Sequence, residues 1–255
     1  MQTLTVILIP LAGTVLGSAV ALFMKKQLSS WVERLLLGFA SGVMIAASVW
    51  SLLLPSLEQT EGSWVPATIG FVLGICFLLA VDTLIPHLNL HSREQEGLHT
   101  GKISSHTMLY IAVTIHNFPE GMAVGAVLAG VISGHSEAGY AAAMVLATGI
   151  GVQNFPEGAI ISMPLRSTGM ARCKAFGLGA LSGLAEPAGA VLTIMVASQM
   201  ITLLPYCLSF AAGAMIYVVV DELIPEAKSD DCFNIGTIGA ALGFLVMMVL
   251  DVSLG

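Results

Sequence analysis

Two near-identical hexapeptides carry the chemistry of this chain: His116-Asn117-Phe118-Pro119-Glu120-Gly121 and Gln153-Asn154-Phe155-Pro156-Glu157-Gly158, matching at five of six positions. On a helix, residues three and four apart share a face. The His116 imidazole, the Asn117 amide and the Glu120 carboxylate therefore converge on one side, and Gln153, Asn154 and Glu157 repeat the design. Each proline lacks an N–H, which deprives the carbonyl four residues earlier, Ile115 or Val152, of its helical partner. Both copies lie inside long apolar runs, where a freed carbonyl is tolerated only against protein or a polar cavity. Two unpaired carboxylates at one depth repel and take up protons. A divalent cation would neutralise them, and it accepts oxygen and imidazole donors of this kind. The competing reading is two protonated glutamates hydrogen-bonded between packed helices. Ionisable residues inside membrane spans favour the functional reading.

Other residues extend the pattern. Glu186-Pro187 is a third acid beside a helix-freeing proline; it reads as a further metal ligand or as a packed, protonated kink. Met44 alone reads as packing, although its thioether would supply a soft ligand suited to transition metals. Ser51 reads as a hydroxyl bonded to its own helix backbone. Asp82, in Asp-Thr-Leu-Ile-Pro-His, and Asp221-Glu222, in Asp-Glu-Leu-Ile-Pro-Glu, close two spans. Solvated or helix-pairing acids fit these positions as well as exit-path ligands do. The zinc-protease pair His-Glu-x-x-His is missing, as are G-x-S-x-G and a Walker A loop.

The elements that must position these groups are membrane helices. Of the 255 residues, 56% are hydrophobic and 10% charged, against about 25% charged in a soluble domain. Apolar runs of 18 or more residues read as membrane spans. Eight are expected, over 3–24, 34–57, 64–86, 106–130, 138–164, 175–200, 203–225 and 233–253. The expected fold is an all-α membrane protein, with residues 1–255 as one polytopic domain. The first span is too long and too poorly flanked for a cleaved signal peptide. The net charge of −7 and the lack of a basic stripe argue against nucleic acid as a partner. Cys76, Cys173, Cys207 and Cys232 are scattered and read as reduced thiols.

All nine Lys and Arg fall in the odd-numbered gaps between these spans, counting Arg34 at the very start of the second span with the first gap. Basic residues stay cytoplasmic, so both termini are expected outside. The outer gaps carry Glu58, Glu61 and Glu137, either as solvated loop acids or as a weak funnel for cations. The cytoplasmic loop at about 87–105 is expected to lack structure. It holds His87, His91 and His99, with His106 just beyond; a solvated linker and a loose metal relay both fit. Phe39-Ala40-Ser41-Gly42-Val43-Met44-Ile45 in span two resembles Phe210-Ala211-Ala212-Gly213-Ala214-Met215-Ile216 in span seven at five of seven positions. Spans two and seven run in opposite directions, and so do the spans bearing the two hexapeptides. Both pairings fit one two-fold axis in the membrane plane, in a 3+2+3 inverted-repeat bundle. Such repeats place substrate sites near the midplane, at interrupted helices.

With the paired His-Asn-x-Pro-Glu-Gly and Gln-Asn-x-Pro-Glu-Gly motifs, the chain resembles the ZIP (Zrt/Irt-like) metal transporters, in their GufA-like branch. The resemblance covers nearly the whole chain, including eight spans and outward termini. It implies import of Zn²⁺, and often of Fe²⁺, Mn²⁺ or Cd²⁺, toward the cytoplasm through a two-metal site, frequently by homodimers. Matched by motif, one metal would take Met44, His116, Glu120, Gln153 and Glu157. The second would take Asn117, Asn154 and Glu186, with Glu120 and Glu157 bridging. Other branches carry His where Gln153 stands, and some relatives have Asp at the position of Asn154; an amide there removes a charge. Asp82, His87, His91, Asp221 and Glu222 are candidates for the exit path. The resemblance also suggests an elevator-like motion, with spans one, four, five and six sliding against the rest.

The reading from sequence is therefore a multi-pass importer of divalent metal in a cell membrane of the bacterial inner-membrane kind. Zn²⁺ is its cargo, and it is not an enzyme. A channel-like conduit would differ by flux that does not saturate. A membrane metallo-hydrolase would need a general base and a substrate gate. A non-transporting sensor would bind metal without flux.

Overall fold

The computed structural model describes residues 1–23, 29–85, 87–88, 95–96, 105–134, 139–167, 169–199, 201–228 and 234–254. Helix α1 covers Gln2–Phe23. Helix α2 runs over Ser30–Ala47, widens into a π-helical stretch at Ser48–Leu53 and resumes over Leu54–Glu58. Helices α3 (Trp64–Leu84), α4 (Ser105–Ile132) and α5 (Gly139–Ser167) follow. Helices α6 (Arg172–Ser182) and α7 (Ala185–Gln199) are the halves of one interrupted rod. Helix α8 (Leu204–Val218) also passes through a π-helical stretch, Val219–Leu223, before ending as Ile224–Lys228, and α9 covers Ile235–Leu254.

Seven helical stretches among the described residues are long and apolar enough to cross a membrane. The expected span missing from that set is α5, whose 29 residues include Gln153, Asn154, Glu157 and Arg166. The polarity of the bundle is that of a membrane protein. Trp64, Ile69, Leu73 and Phe77 on α3, Leu192 and Met195 on α7, and Leu242 and Val249 on α9 are exposed, whereas His116, Asn117, Glu120, Gln153 and Asn154 are buried. Apolar surface turned outward needs lipid around it.

Helix α1 packs on α5 and α4 on α7, while α2 packs on α9 and α3 on α8; α4 and α5 touch each other and reach α8 and α2 respectively. Small residues permit these approaches. A side chain at Gly42 would collide with the Ala240 carbonyl of α9, and one at Gly213 with the Phe71 carbonyl of α3.

Three local features differ from the sequence expectation. Helices α4 and α5 continue as α-helix through Pro119 and Pro156. The clear interruption lies in the sixth span, before Pro187. Pro187 has no N–H for the Gly183 carbonyl, and the Glu186 N–H takes that acceptor instead, at 3.1 Å, a tight turn that starts a new helix. The π-helical stretches have no proline inside them and no signal in the apolar pattern. Finally, the loop expected to lack structure carries a short antiparallel pair, β1 (His87–Leu88) with β2 (Gln95–Glu96), so the regular structure is helical apart from these four residues among those described. His91 and His99 lie outside the described residues, as do the side chains of His87 and His106.

Candidate metal site

The two hexapeptides face each other across the α4–α5 contact. The Gln153 side-chain amide of α5 donates from Nε2 to Glu120 Oε1 of α4 at 2.7 Å, so the copies are joined directly by their own polar residues. Glu120, Gln153 and Asn154 are fully buried. Glu157 is also buried and lies within electrostatic range of His116, Glu120 and Glu186.

Glu186 enters from the first turn of α7, directly after the break. Its Oε1 accepts two bonds, from Asn154 Nδ2 at 3.0 Å and from the Thr14 hydroxyl of α1 at 2.5 Å. The helix break thus delivers a carboxylate to the second motif copy. Gly121 allows the approach, since a side chain there would collide with the Glu186 carbonyl.

His116 takes its partner from outside the two motifs. Its Nε2 lies 3.1 Å from Glu222 Oε1 in the π-helical stretch of α8, and only the ring N–H can be the donor to a carboxylate. Glu222 is 1% exposed. Asp82 is buried and within electrostatic range of His116, whereas Asp221 is exposed. Successive side chains of a helix point about 100° apart, so the neighbouring acids part company: Glu222 is buried in the bundle and Asp221 is exposed. Met44 is fully buried in the main apolar core, one turn before the matching π-helical stretch of α2.

Seven buried polar atoms of this group have no hydrogen-bond partner: both amide atoms of Asn117, Glu120 Oε2, Gln153 Oε1, Asn154 Oδ1, Glu186 Oε2 and Glu222 Oε2. Six of them are oxygens, and no Lys or Arg lies among these residues. Buried polar atoms are normally paired, and each exception calls for an explanation such as an ion or a functional role. Oxygen-rich, carboxylate-bearing and amide-lined, the cluster has the donor chemistry of a divalent-cation site. Among the described residues, no three His, Cys, Asp or Glu side chains already close a metal cage. The groups are instead tied to one another, through Gln153–Glu120 and His116–Glu222.

Ser51 corrects the sequence reading. Its hydroxyl does not bond its own helix but donates across to the Asp251 carboxylate of α9, at 2.8 Å to Oδ1 and 3.0 Å to Oδ2. Ser48 is the hydroxyl that caps the backbone, donating to the Met44 carbonyl at 2.8 Å. Asp251 and Thr14 were both missed from sequence. An acid inside the last apolar run was a readable signal for Asp251. Thr14 had none, because a threonine in a membrane helix is unremarkable until its partner is known.

Comparisons with known proteins point to one family. The family description "ZIP Zinc transporter" matches residues 87–251. "Zinc transporter GufA" of Myxococcus xanthus is 34% identical, covering 96% of each chain. "Zinc transporter ZIP11" of Homo sapiens is 34% identical over 89% of this chain and 91% of its own. "Zinc transporter ZIPB" of Bordetella bronchiseptica is 34% identical over 96% of this chain and 78% of its own. These relatives are named as transporters rather than enzymes, and with its motifs joined at the centre of a helical bundle, this chain belongs to the ZIP family.

Proposed function

We propose that this chain imports divalent transition-metal cations, Zn²⁺ foremost and Fe²⁺, Mn²⁺ or Cd²⁺ as alternatives, across a bacterial inner membrane into the cytoplasm. The observation that carries this reading is the Gln153–Glu120 bond between the motif copies, set among buried oxygens without protein partners. A cation supplies the positive charge that no Lys or Arg provides there. Carboxylates are needed because a dehydrating dication loses hydration energy that only charged or strongly dipolar donors replace.

In this reading the centre is binuclear. One cation takes Met44, His116, Glu120, Gln153 and Glu157; the other takes Asn117, Asn154, Glu186 and the bridging glutamates. Entry of metal requires the Gln153 amide to turn, so that Oε1 rather than Nε2 faces the ion. It also requires His116 to exchange Glu222 for metal. Glu222 then competes with the cation for the imidazole, and with Asp82 it begins the exit path; Asp221, His87 and His91 remain its further candidates by sequence. Binding must be favourable yet weak enough to allow release, and a protein group competing for a ligand weakens it.

Residues 1–255 form one transporter domain in this proposal, with both termini outside and a 3+2+3 inverted arrangement. The contacts support that arrangement. Exchanging the first three spans with the last three, and α4 with α5, turns the α1–α5 contact into α7–α4 and the α2–α9 contact into α8–α3. The two π-helical stretches exchange as well. A homodimer is proposed on the family resemblance.

The test is initial zinc uptake into proteoliposomes of purified protein, with Mn²⁺, Fe²⁺ and Cd²⁺ as competitors. Saturable uptake suppressed by these metals is expected. Zinc binding without flux would make the chain a sensor, and flux that never saturates would make it a channel-like conduit.

A further inference from the structure

We propose that Thr14 of α1 is a positioning residue for the metal centre: its hydroxyl fixes the Glu186 carboxylate by one oxygen, so that the other is presented to the transported cation. The inference rests on the reading of Glu186 as a metal donor.

Among the described residues, most buried hydroxyls donate to a carbonyl three or four residues back in their own helix, where they change little. Ser48 bonds Met44, Thr193 bonds Gly189 and Ser209 bonds Pro205, and Ser41, Ser162 and Ser182 bond the carbonyl three residues back. Such back-bonding is the ordinary fate of Ser and Thr in membrane helices. Thr14 departs from it, as Ser18, Ser51 and Ser56 do, and of these four it is the one bonded to a proposed metal donor. Although fully buried, its Oγ1 reaches a side chain 172 positions away in sequence, Glu186 Oε1, at 2.5 Å. Asn154 Nδ2 converges on the same oxygen at 3.0 Å. Both donors thus act on Oε1, and Oε2 is buried with no partner. A carboxylate pinned through one oxygen by donors from two helices has lost most of its rotational freedom, which is how a ligand is preorganised.

The position of Thr14 is also particular. A side chain at Gly121 would strike the Glu186 carbonyl, and one at Gly158 would strike the Thr14 carbonyl; a side chain at Gly189 would strike the Phe118 carbonyl, and one at Gly17 the Phe155 carbonyl. Thr14 therefore meets the second motif copy as Glu186 meets the first. The two residues sit at corresponding points of the two halves, where one half supplies a carboxylate and the other the hydroxyl that holds it. A second carboxylate at position 14 would oppose the first; a hydroxyl stabilises it.

The experiment compares Thr14→Val, which keeps the shape and removes the donor, with Thr14→Ser, which keeps the donor. Zinc binding to purified protein is measured by equilibrium dialysis, and uptake kinetics in proteoliposomes, each alone and in a Glu186→Gln background. Loss of a hydrogen bond to a carboxylate predicts weaker zinc binding and a higher half-saturating concentration, by roughly tenfold, in Thr14→Val. Thr14→Ser is expected to restore both, and Thr14→Val to add nothing once Glu186 is already Gln. Unchanged or tighter zinc binding in Thr14→Val overturns the proposal. So does an equal defect in Thr14→Ser, or one that persists undiminished beside Glu186→Gln, since either would mark a packing role. Wild-type binding in Glu186→Gln alone would remove Glu186 from the metal centre, and the role of Thr14 with it.

Discussion

The two motif copies share five residues of six and use them differently. In the first copy the leading residue, His116, pairs outside both motifs, with Glu222 on α8. In the second copy the leading residue, Gln153, crosses to the Glu120 carboxylate of the first. The asparagines diverge too: the Asn154 amide donates to Glu186, while both amide atoms of Asn117 are without partners. Both copies lie on continuous helices, so the local backbone does not cause the difference. The neighbours do. The α7 break brings an acid to the second copy, and the π-helical stretch of α8 brings one to the imidazole of the first. A repeated sequence thus becomes an asymmetric centre, with one end already bonded toward a line of acids, Glu222 and Asp82.

The largest expected effect tests what the copies share. Glu120→Gln and Glu157→Gln keep size and remove charge. Each is expected to lower initial zinc uptake by about a hundredfold, the scale of losing a charged partner for a dehydrated ion, with protein still reaching the membrane. Under the packed-acid alternative, Gln would stand in for protonated Glu. Near-wild-type uptake in both variants, at matched protein level, would therefore end the metal-centre reading.

Glu222→Gln tests the feature that only the first copy has. Gln can still accept from His116 but without charge, so the hold on the imidazole weakens. Tighter retention of zinc and uptake slower by roughly tenfold are expected. Faster uptake with unchanged binding would show that Glu222 obstructs rather than receives the ion.

Exchanging the leading residues probes selectivity. His116→Gln makes the first copy resemble the second and removes the only imidazole of the proposed centre. Because nitrogen donors favour zinc over manganese, competition by Mn²⁺ should strengthen several-fold. Gln153→His should shift competition the opposite way. If neither exchange changes the metal order, the leading residues do not touch the ion.

The smallest effect is expected from Asn154→Asp, which adds charge to the second copy alone. A carboxylate beside Glu186 should tighten binding of a second zinc, raising stoichiometry or apparent affinity a few-fold and slowing release. Unchanged stoichiometry and affinity would show that Asn154 is not a ligand.

The sequence by itself determined the membrane class, the approximate spans, the pairing of the motifs and the identity of the polar residues that the bundle buries together. Each of these depends on local chemistry: apolar length, proline position, and acids where lipid should exclude them. Glu120, Gln153, Asn154 and Glu186 could be named because a polar residue in an apolar run is conspicuous wherever the helix eventually packs. Tertiary structure decided which donor meets which. That His116 faces Glu222, that Ser51 meets Asp251 and that Thr14 holds Glu186 are contacts between helices distant in sequence. The two π-helical stretches were equally hidden, because the apolar pattern gives no warning of one extra residue in a turn. Side-chain partners between helices follow from register and rotation, which depend on close glycine contacts across the bundle. No stretch of sequence contains both sides of such a contact.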